Sequence, residues 1–448
     1  MAAQAETAAG AVGTGSGLSG DAGADLRFRY DYKDNPVKYQ NNRTSETATD
    51  PQDPQYQDYY RMRTRVWGKA AYEDVTLFGR VADEFRGYHN AKQQYAFPDE
   101  LFLDNAYLDV RNLWDERVDL RVGRQDLKYG AGRVISDGTG GDGSRSTYFN
   151  AIKAEVHLSE KSTLDLMGVW EPPEDDWTVG NPDYDLTKYQ TREGGNDLTE
   201  KAGIAYFMNK TCESFPYEAY YVCKDDSRWI ASNGKRLPAR QYHTLGVRAV
   251  PQLSETWSAE VESAVQAGQI DGSGAVGNRD ILAWMTYGGA TYTAAEYTWK
   301  PHLTGAVLYL SGDDDRFDDP KASGTDTGWS PVFNRTTWFS ELMSGEFAAY
   351  RWSNLVYPHL ELGVRPDKDH AAFIQGGPHY AAEQDNASGD SYRGLFLMAR
   401  YDFPLIRRAI AGRGDINGAV LAEVLDAGNY YAEADTAYYL RFEISAKF

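Results

Sequence analysis

The sequence has few cysteines, no long apolar run and no surplus of positive charge. Its 448 residues include 2 cysteines, too few for a disulfide framework and without the spacing of a zinc site. There are 46 basic and 66 acidic residues, a formal charge of −20, so nucleic acid, which needs a basic face, is not an expected partner. No segment approaches the roughly 18 apolar residues of a transmembrane helix. Only a closed barrel of strands would allow this chain to span a bilayer.

What is abundant is tyrosine and glycine. Aromatic residues make up 13% of the chain, with 32 tyrosines and 43 glycines, while hydrophobic residues reach only 42%. This composition is typical of an outer-membrane β-barrel. No linker divides the chain into domains. Residues 1–23 consist largely of small residues and lack the basic and apolar regions of a signal peptide, so we predict a flexible tail at 1–23 and a barrel at 24–448.

The clearest pattern lies near the end of the sequence. Apolar side chains occupy every second position there: Tyr438, Leu440, Phe442, Ile444, Ala446 and Phe448. Polar or charged side chains fill most positions between them, including Arg441, Glu443 and Lys447. Successive side chains of a strand point to opposite faces, so this alternation predicts a strand with one face in lipid and the other in water. The final aromatic residue, Phe448, also resembles the carboxyl-terminal signature of bacterial outer-membrane barrels.

Similar segments of about ten residues, the length of a transmembrane strand, recur along the chain. They are joined by alternating short and long connections, as periplasmic turns alternate with longer outer loops in such barrels. The short connections are predicted at residues 71–74, 114–117, 159–161, 209–215, 252–255, 300–302, 366–368 and 404–417. The sequence therefore predicts an all-β fold, a transmembrane antiparallel β-barrel of 18 strands in the bacterial outer membrane, with 16 strands as the alternative.

Three segments carry a resemblance to a known family. The stretch LRVGRQDLKYGAGRVISDGTGGDGSRSTYFNA at residues 120–151 resembles the bacterial alginate-export family of outer-membrane porins, in which a strand ending in GRQ leads into an inward-folding, glycine-rich loop. SGDDDRF at residues 311–317 and AEVLDAGNYY at residues 422–431 are also similar to that family. The resemblance extends from about Leu26 onward. It implies a monomeric barrel of about 18 strands and leaves the solute open.

Basic side chains recur at inward positions of the predicted strands. Arg61, Arg63, Arg65 and Lys69 share one face of one strand, and at mid-depth each would cost about 2–4 kcal/mol against lipid, so this face must line the lumen. Arginine pairs bidentately with carboxylate, which suits a path for carboxylated or phosphorylated solutes. Further cations on inward positions complete the predicted anion path: Arg27, Arg29, Arg80, Arg86, Arg121, Arg248, Arg365, Arg400 and Arg441.

Acidic side chains at inward positions support a second interpretation with equal weight. They would neutralise the cations and give a salt-bridged wall without preference for any solute. A segregated basic stripe would favour anion transport, whereas an interleaved lattice of both signs would favour general permeation. The predicted lumen acids are Asp109, Asp119, Glu155, Glu218, Glu260, Glu262, Glu361, Glu423 and Glu443.

Two loops attract attention by composition. Residues 130–146 are rich in glycine, and we predict that this loop folds into the pore as a constriction carrying Arg133, Asp137, Asp142 and Arg145. The acidic loop with Asp313, Asp314 and Asp315 has the oxygen ligands of a Ca²⁺ site. A solvated loop facing outward is the favoured interpretation, so neither a metal nor a cofactor is predicted.

These features together predict a transport function. The seven histidines are scattered and none lies in a nucleophile motif, so an enzyme is not predicted. We expect a channel for facilitated diffusion or export of a polar, preferably anionic solute such as an acidic polysaccharide or oligosaccharide. Net direction would come from concentration or from a periplasmic partner. The alternatives are a general diffusion porin and, less favoured, a plugged barrel with a structural or lipid-hydrolase role.

Overall fold

The structure is a computed structural model. It describes residues 17–34, 56–89, 101–136, 148–172, 199–227, 229–230, 236–272, 278–315, 324–334, 340–343, 352–384, 389–409, 414–431 and 435–448. Among these residues, no helix has the length and hydrophobicity that a membrane span requires.

Eighteen long strands form one antiparallel sheet. In chain order they are β1 (Ser19–Asp34), β2 (Tyr56–Tyr72), β3 (Val75–Tyr88), β4 (Leu101–Asn112), β5 (Val118–Gln125), β7 (Phe149–Ser159), β8 (Ser162–Glu171), β9 (Glu200–Asn209), β10 (Tyr217–Asp226), β13 (Arg240–Ala249), β14 (Trp257–Ile270), β15 (Arg279–Thr293), β16 (His302–Leu310), β18 (Leu355–Val364), β19 (Ala371–Tyr380), β20 (Tyr392–Ile406), β21 (Asp415–Ala427) and β22 (Ala437–Lys447). Four two-residue strands lie in the connections: β6 (Ile135–Ser136), β11 (Trp229–Ile230), β12 (Arg236–Leu237) and β17 (Phe333–Asn334).

The sheet closes on itself, because β1 pairs with β2 on one side and with β22 on the other. Beyond the last ladder residues, the backbones of Ala24 and Phe448 exchange two hydrogen bonds of 2.8 and 3.0 Å. Closure leaves the barrel without a free edge, which is the condition for strands to cross hydrocarbon. The prediction of an 18-stranded barrel is confirmed.

The predicted alternation is confirmed in the wall. In β22 the side chains of Tyr438, Leu440 and Phe442 are exposed on the outer face, whereas Tyr439 and Arg441 are buried on the inner face. The same contrast holds in β1, where Phe28 is exposed and Arg29 is buried. Lipid thus contacts an apolar surface, and the charged side chains lie inside.

Most short connections fall within a few residues of their predicted positions, but the one predicted at 300–302 spans residues 294–301, because β15 ends at Thr293. The connection of β2 to β3 has two residues, and Glu73 there has a left-handed backbone (φ 49°). The connection of β4 to β5 is a single turn, Leu113–Glu116, with left-handed Trp114 (φ 52°) and Asp115 (φ 59°). The predicted turn at 404–417 is shorter, because β20 continues past Pro404 to Ile406 across an irregularity in its pairing with β21.

The predicted boundary between tail and barrel differs from the observed one. β1 begins at Ser19 rather than after residue 23, because Asp21 and Gly23 pair with Lys69 and Trp67 of β2. Small residues on both faces hide the alternation in this part of β1. The remainder of the predicted tail, residues 1–16, lies outside the described residues.

The outer face supports a stability test at Leu397, an exposed residue near the middle of β20. We expect Leu397→Arg to lower the free energy of unfolding by about 2–4 kcal/mol, because a cation at mid-depth contacts hydrocarbon. Reversible urea unfolding in liposomes measures this change. Leu397→Phe keeps an apolar side chain and serves as the control; equal effects of the two variants would contradict the assignment of this face to lipid.

Candidate solute path

A ladder of cations crosses the inner face of β1 and β2. Arg27 lies directly opposite Arg63, and Arg29 lies directly opposite Arg61 in the next layer. All four side chains are buried. Like charges facing each other across two strands are destabilising unless acids compensate them, and Glu84 of β3 lies directly opposite Arg63.

Acidic groups accompany the ladder without matching it in number. Glu443 accepts a hydrogen bond from Arg29 at 2.6 Å, and Asp25 accepts one from Arg65 at 2.8 Å. In the layer above, Asp31 accepts a hydrogen bond from Arg441 at 3.0 Å. Buried or half-buried inward cations of β22, β1 and β2 outnumber these three acids: Arg27, Arg29, Lys33, Arg61, Arg63, Arg65, Lys69 and Arg441.

Other predicted path residues form local ion pairs. Arg80 contacts Asp104 at 2.5 Å and Asp126 at 2.7 Å. Arg121 donates two hydrogen bonds to Asp109, at 2.6 and 2.9 Å. At the periplasmic end, Arg400 contacts Asp402 at 2.8 Å. These cations belong to an interleaved lattice rather than to the ladder.

Further predicted residues are dispersed. Arg365 is exposed in the turn after β18, because the strand ends at Val364, before Pro366; its predicted inward position on a strand is corrected. The side chain of Arg86 lies outside the described ones. Acids near the periplasmic rim have their own partners: Asp119 contacts His157 at 3.3 Å, Glu155 contacts Lys153 at 3.2 Å and Glu361 contacts His302 at 3.4 Å.

The wall halfway round the barrel from β1, by strand order, has the opposite charge balance. Inward acids of β8, β10 and β14 outnumber the described inward cations of this wall, which are Lys224, Arg240 and Arg248. The acids are Asp165, Glu171, Glu218, Asp226, Glu260 and Glu262. The lumen therefore has a basic wall (β22, β1 and β2) and an acidic wall (β8–β14).

The glycine-rich loop after β5 reaches the acidic wall. Arg133 donates hydrogen bonds to Glu260 at 2.5 Å and to Glu262 at 2.7 Å. Its guanidinium lies 3.6 Å from the centroid of the Tyr287 ring. Arg133 is thus inside the barrel, as predicted; the other three charged residues predicted for the constriction, Asp137, Asp142 and Arg145, lie outside the described residues.

The loop between β16 and β18 also enters the lumen. One segment of it, residues 329–334, contacts the acidic wall. The side chain of Gln266 exchanges hydrogen bonds with the backbone of Ser330 at 2.8 and 2.9 Å, and Lys224 donates to the carbonyl of Val332 at 2.9 Å. Residues of β17 in this segment pair in parallel with β6 of the glycine-rich loop. The two inward loops are therefore joined to each other as well as to the wall.

A second segment of the same loop, residues 340–343, contacts the other side. The carboxylate of Glu423 accepts hydrogen bonds from the Ser340 hydroxyl at 2.7 Å and from the backbone N–H groups of Glu341 and Leu342 at 3.1 and 2.9 Å. The Glu341 carboxylate bonds to Arg441 of the basic wall. Glu341 was absent from the sequence prediction, since a loop residue shows no alternation that would place it in the lumen.

The acidic cluster lies in the outer part of the same loop. Ligand oxygens of Asp313, Asp314 and Asp315 are within 4.8 Å of one another. Burial raises the pKa of Asp313, and Arg279 contacts its carboxylate at 2.9 Å. The nearby guanidinium already supplies a positive partner for this group.

Comparison with known proteins bears on this architecture. The family model for alginate export matches residues 19–389. The chain belongs to the alginate export family. No curated protein matches it. In fold, this family member is similar to OccAB1 of Acinetobacter baumannii (10% identity, 96% of this chain and 97% of that chain covered, TM-score 0.60).

Two further solved structures share the barrel. The BenF-like porin of Pseudomonas fluorescens Pf-5 is 11% identical, with 96% and 98% of the two chains covered and a TM-score of 0.55. OpdQ of Pseudomonas aeruginosa is 12% identical, with 96% and 97% covered and the same TM-score of 0.55. Family and fold agree: this alginate export family member is a channel of the bacterial outer membrane.

The contacts of Arg133 give a test of the loop inside the barrel. We expect Arg133→Gln to raise single-channel conductance in planar bilayers, because the loop loses its charged anchor on the acidic wall. Arg248→Gln is the matched control, since Arg248 contacts the same Glu260 at 3.0 Å but belongs to strand β13. An equal rise in both variants would assign the effect to lumen charge and not to the loop.

Proposed function

We propose that the channel carries a polar, anionic solute, such as an acidic oligosaccharide or polysaccharide, by facilitated diffusion or export. The proposal rests on two pairs of arginines that face each other in successive layers: Arg27 with Arg63, and Arg29 with Arg61. An anionic solute beside these pairs would add to the compensation that Glu443 and Glu84 give them. The family's description, alginate export, supports the proposal because it names an acidic polysaccharide.

The ladder supplies attraction, and its acids limit that attraction. Guanidinium groups replace the water that a carboxylate loses on entering the lumen. Conduction also requires that the anion leave again, so binding must stay weak and distributed over several sites. Three acids weaken the field of the ladder: Glu443 beside Arg29, Asp25 beside Arg63 and Arg65, and Asp31 beside Arg61. A solute would accordingly move from layer to layer without deep trapping.

The second candidate is a general diffusion porin without anion preference. The local ion pairs of Arg80, Arg121 and Arg400 favour it, because paired charges attract passing solutes little. The segregation of cations on the basic wall and acids on the acidic wall favours the anion channel. Nothing in either candidate requires catalysis, and net direction in both depends on a concentration difference or a periplasmic partner.

Ion selectivity distinguishes the two candidates. We expect the wild-type channel in a KCl gradient to show a reversal potential that indicates chloride preference. Arg63→Gln should lower the chloride-to-potassium permeability ratio by about two- to fivefold, since one unit charge at 4 Å attracts an anion by about 1 kcal/mol in water. Arg400→Gln is the control, because Arg400 lies at the periplasmic end, outside the ladder.

Three results would count against the proposal. Cation preference or no preference in the wild type removes the anionic solute. An equal change of the permeability ratio in the Arg63 and Arg400 variants shows that the ladder contributes no more to ion selectivity than other cations of the lumen. A channel without conductance in any condition points to a plugged barrel.

A further inference from the structure

Glu341 stands apart among the acids of the basic wall because it comes from a loop and not from a strand. Its side chain and that of Arg441 are each 1% exposed. Arg441 and Asp31 are directly paired in the β1–β22 ladder, one layer above the pair of Arg29 and Glu443. The loop thus places a carboxylate at the outer end of the arginine ladder.

The surroundings of this carboxylate are those of an anion site. Arg441 provides a guanidinium that Asp31 orients through a hydrogen bond of 3.0 Å. Tyr439 donates its hydroxyl hydrogen to Asp31 as well, and Arg61 of the layer below lies 3.7 Å from the other oxygen of Asp31. A guanidinium held in this way is pre-organised for a carboxylate.

We propose that Glu341 is an internal competitor for solute at this site, so that the carboxylate of a passing solute exchanges with it on Arg441. The inference rests on the proposed anion channel. Exchange keeps Arg441 paired throughout, whereas departure of Glu341 without a replacement would leave a buried cation with less compensation, which is costly. The loop carboxylate therefore leaves the guanidinium when an anion is present to take its place.

Segment 340–343 has the geometry for such an exchange. Its backbone is held by Glu423 through Ser340, Glu341 and Leu342, and these hydrogen bonds do not involve the Glu341 side chain. Movement of the carboxylate away from Arg441 would leave these backbone hydrogen bonds in place. Neutral solutes do not compete for Arg441, so the loop carboxylate weakens the binding of charged saccharides and leaves that of uncharged ones unchanged.

The test measures block of single-channel current by digalacturonate, with maltose as the neutral probe. An internal competitor reduces apparent affinity by the fraction of time the site is free. If that fraction is about one tenth, Glu341→Gln should bind digalacturonate about tenfold more tightly than the wild type. Block by maltose should not change. Heat-modifiable migration on gels verifies that each variant is folded.

Glu443→Gln is the matched control, because it also removes one negative charge beside the ladder but from strand β22. We expect it to tighten digalacturonate binding much less than Glu341→Gln. Glu341→Asp, which keeps the charge and withdraws it by one methylene, should give an intermediate affinity and replaces the glutamine variant if that one fails to fold.

Equal tightening in the Glu341 and Glu443 variants, or none in either, would overturn the competitor role. Chloride preference of the wild type is measured separately. If it persists while the digalacturonate result fails, the anion channel stands and only the role of Glu341 is lost. If it is absent, the anion channel fails on its own test.

Discussion

Hydrocarbon offers no partner to a backbone N–H or C=O group, and this constraint determines the rest of the molecule. Each strand must have a neighbour on both sides, so the pairing of β1 with β22 is as necessary as any turn. Closure then fixes the direction of every side chain. Alternate residues face lipid and must be apolar, and those between them are free to carry charge.

Charge inside the barrel is organised by wall and by loop together. The basic wall receives an acid, Glu341, from the loop between β16 and β18. The acidic wall receives a base, Arg133, from the loop after β5. Each loop thus carries the sign that is in the minority on its wall, and the parallel pairing of β6 with β17 connects the two. The balance between attraction and release in the lumen depends on these loops as much as on the strands.

The sequence was sufficient to predict the wall, because alternation in segments such as β22 has a single physical explanation. It also placed Arg29, Arg61 and Arg63 in the lumen, since lipid excludes them. The prediction failed where the exclusion of charged side chains from lipid gives no information. The start of β1 has small residues on both faces, and Glu341 lies in a loop whose path depends on distant partners such as Glu423. Which cations are paired, as Arg121 is with Asp109, depends on strand register and on side-chain reach, which periodicity does not reveal.

The joining of two loops across the lumen has an evolutionary consequence. Each residue of the wall contacts lipid, a neighbouring strand or an opposite charge. The loop segments inside the lumen are under fewer structural constraints than the strands, and they carry Arg133 and Glu341. Replacement of both loop segments together would therefore change the solute preference of the channel while the strands of the barrel stay the same.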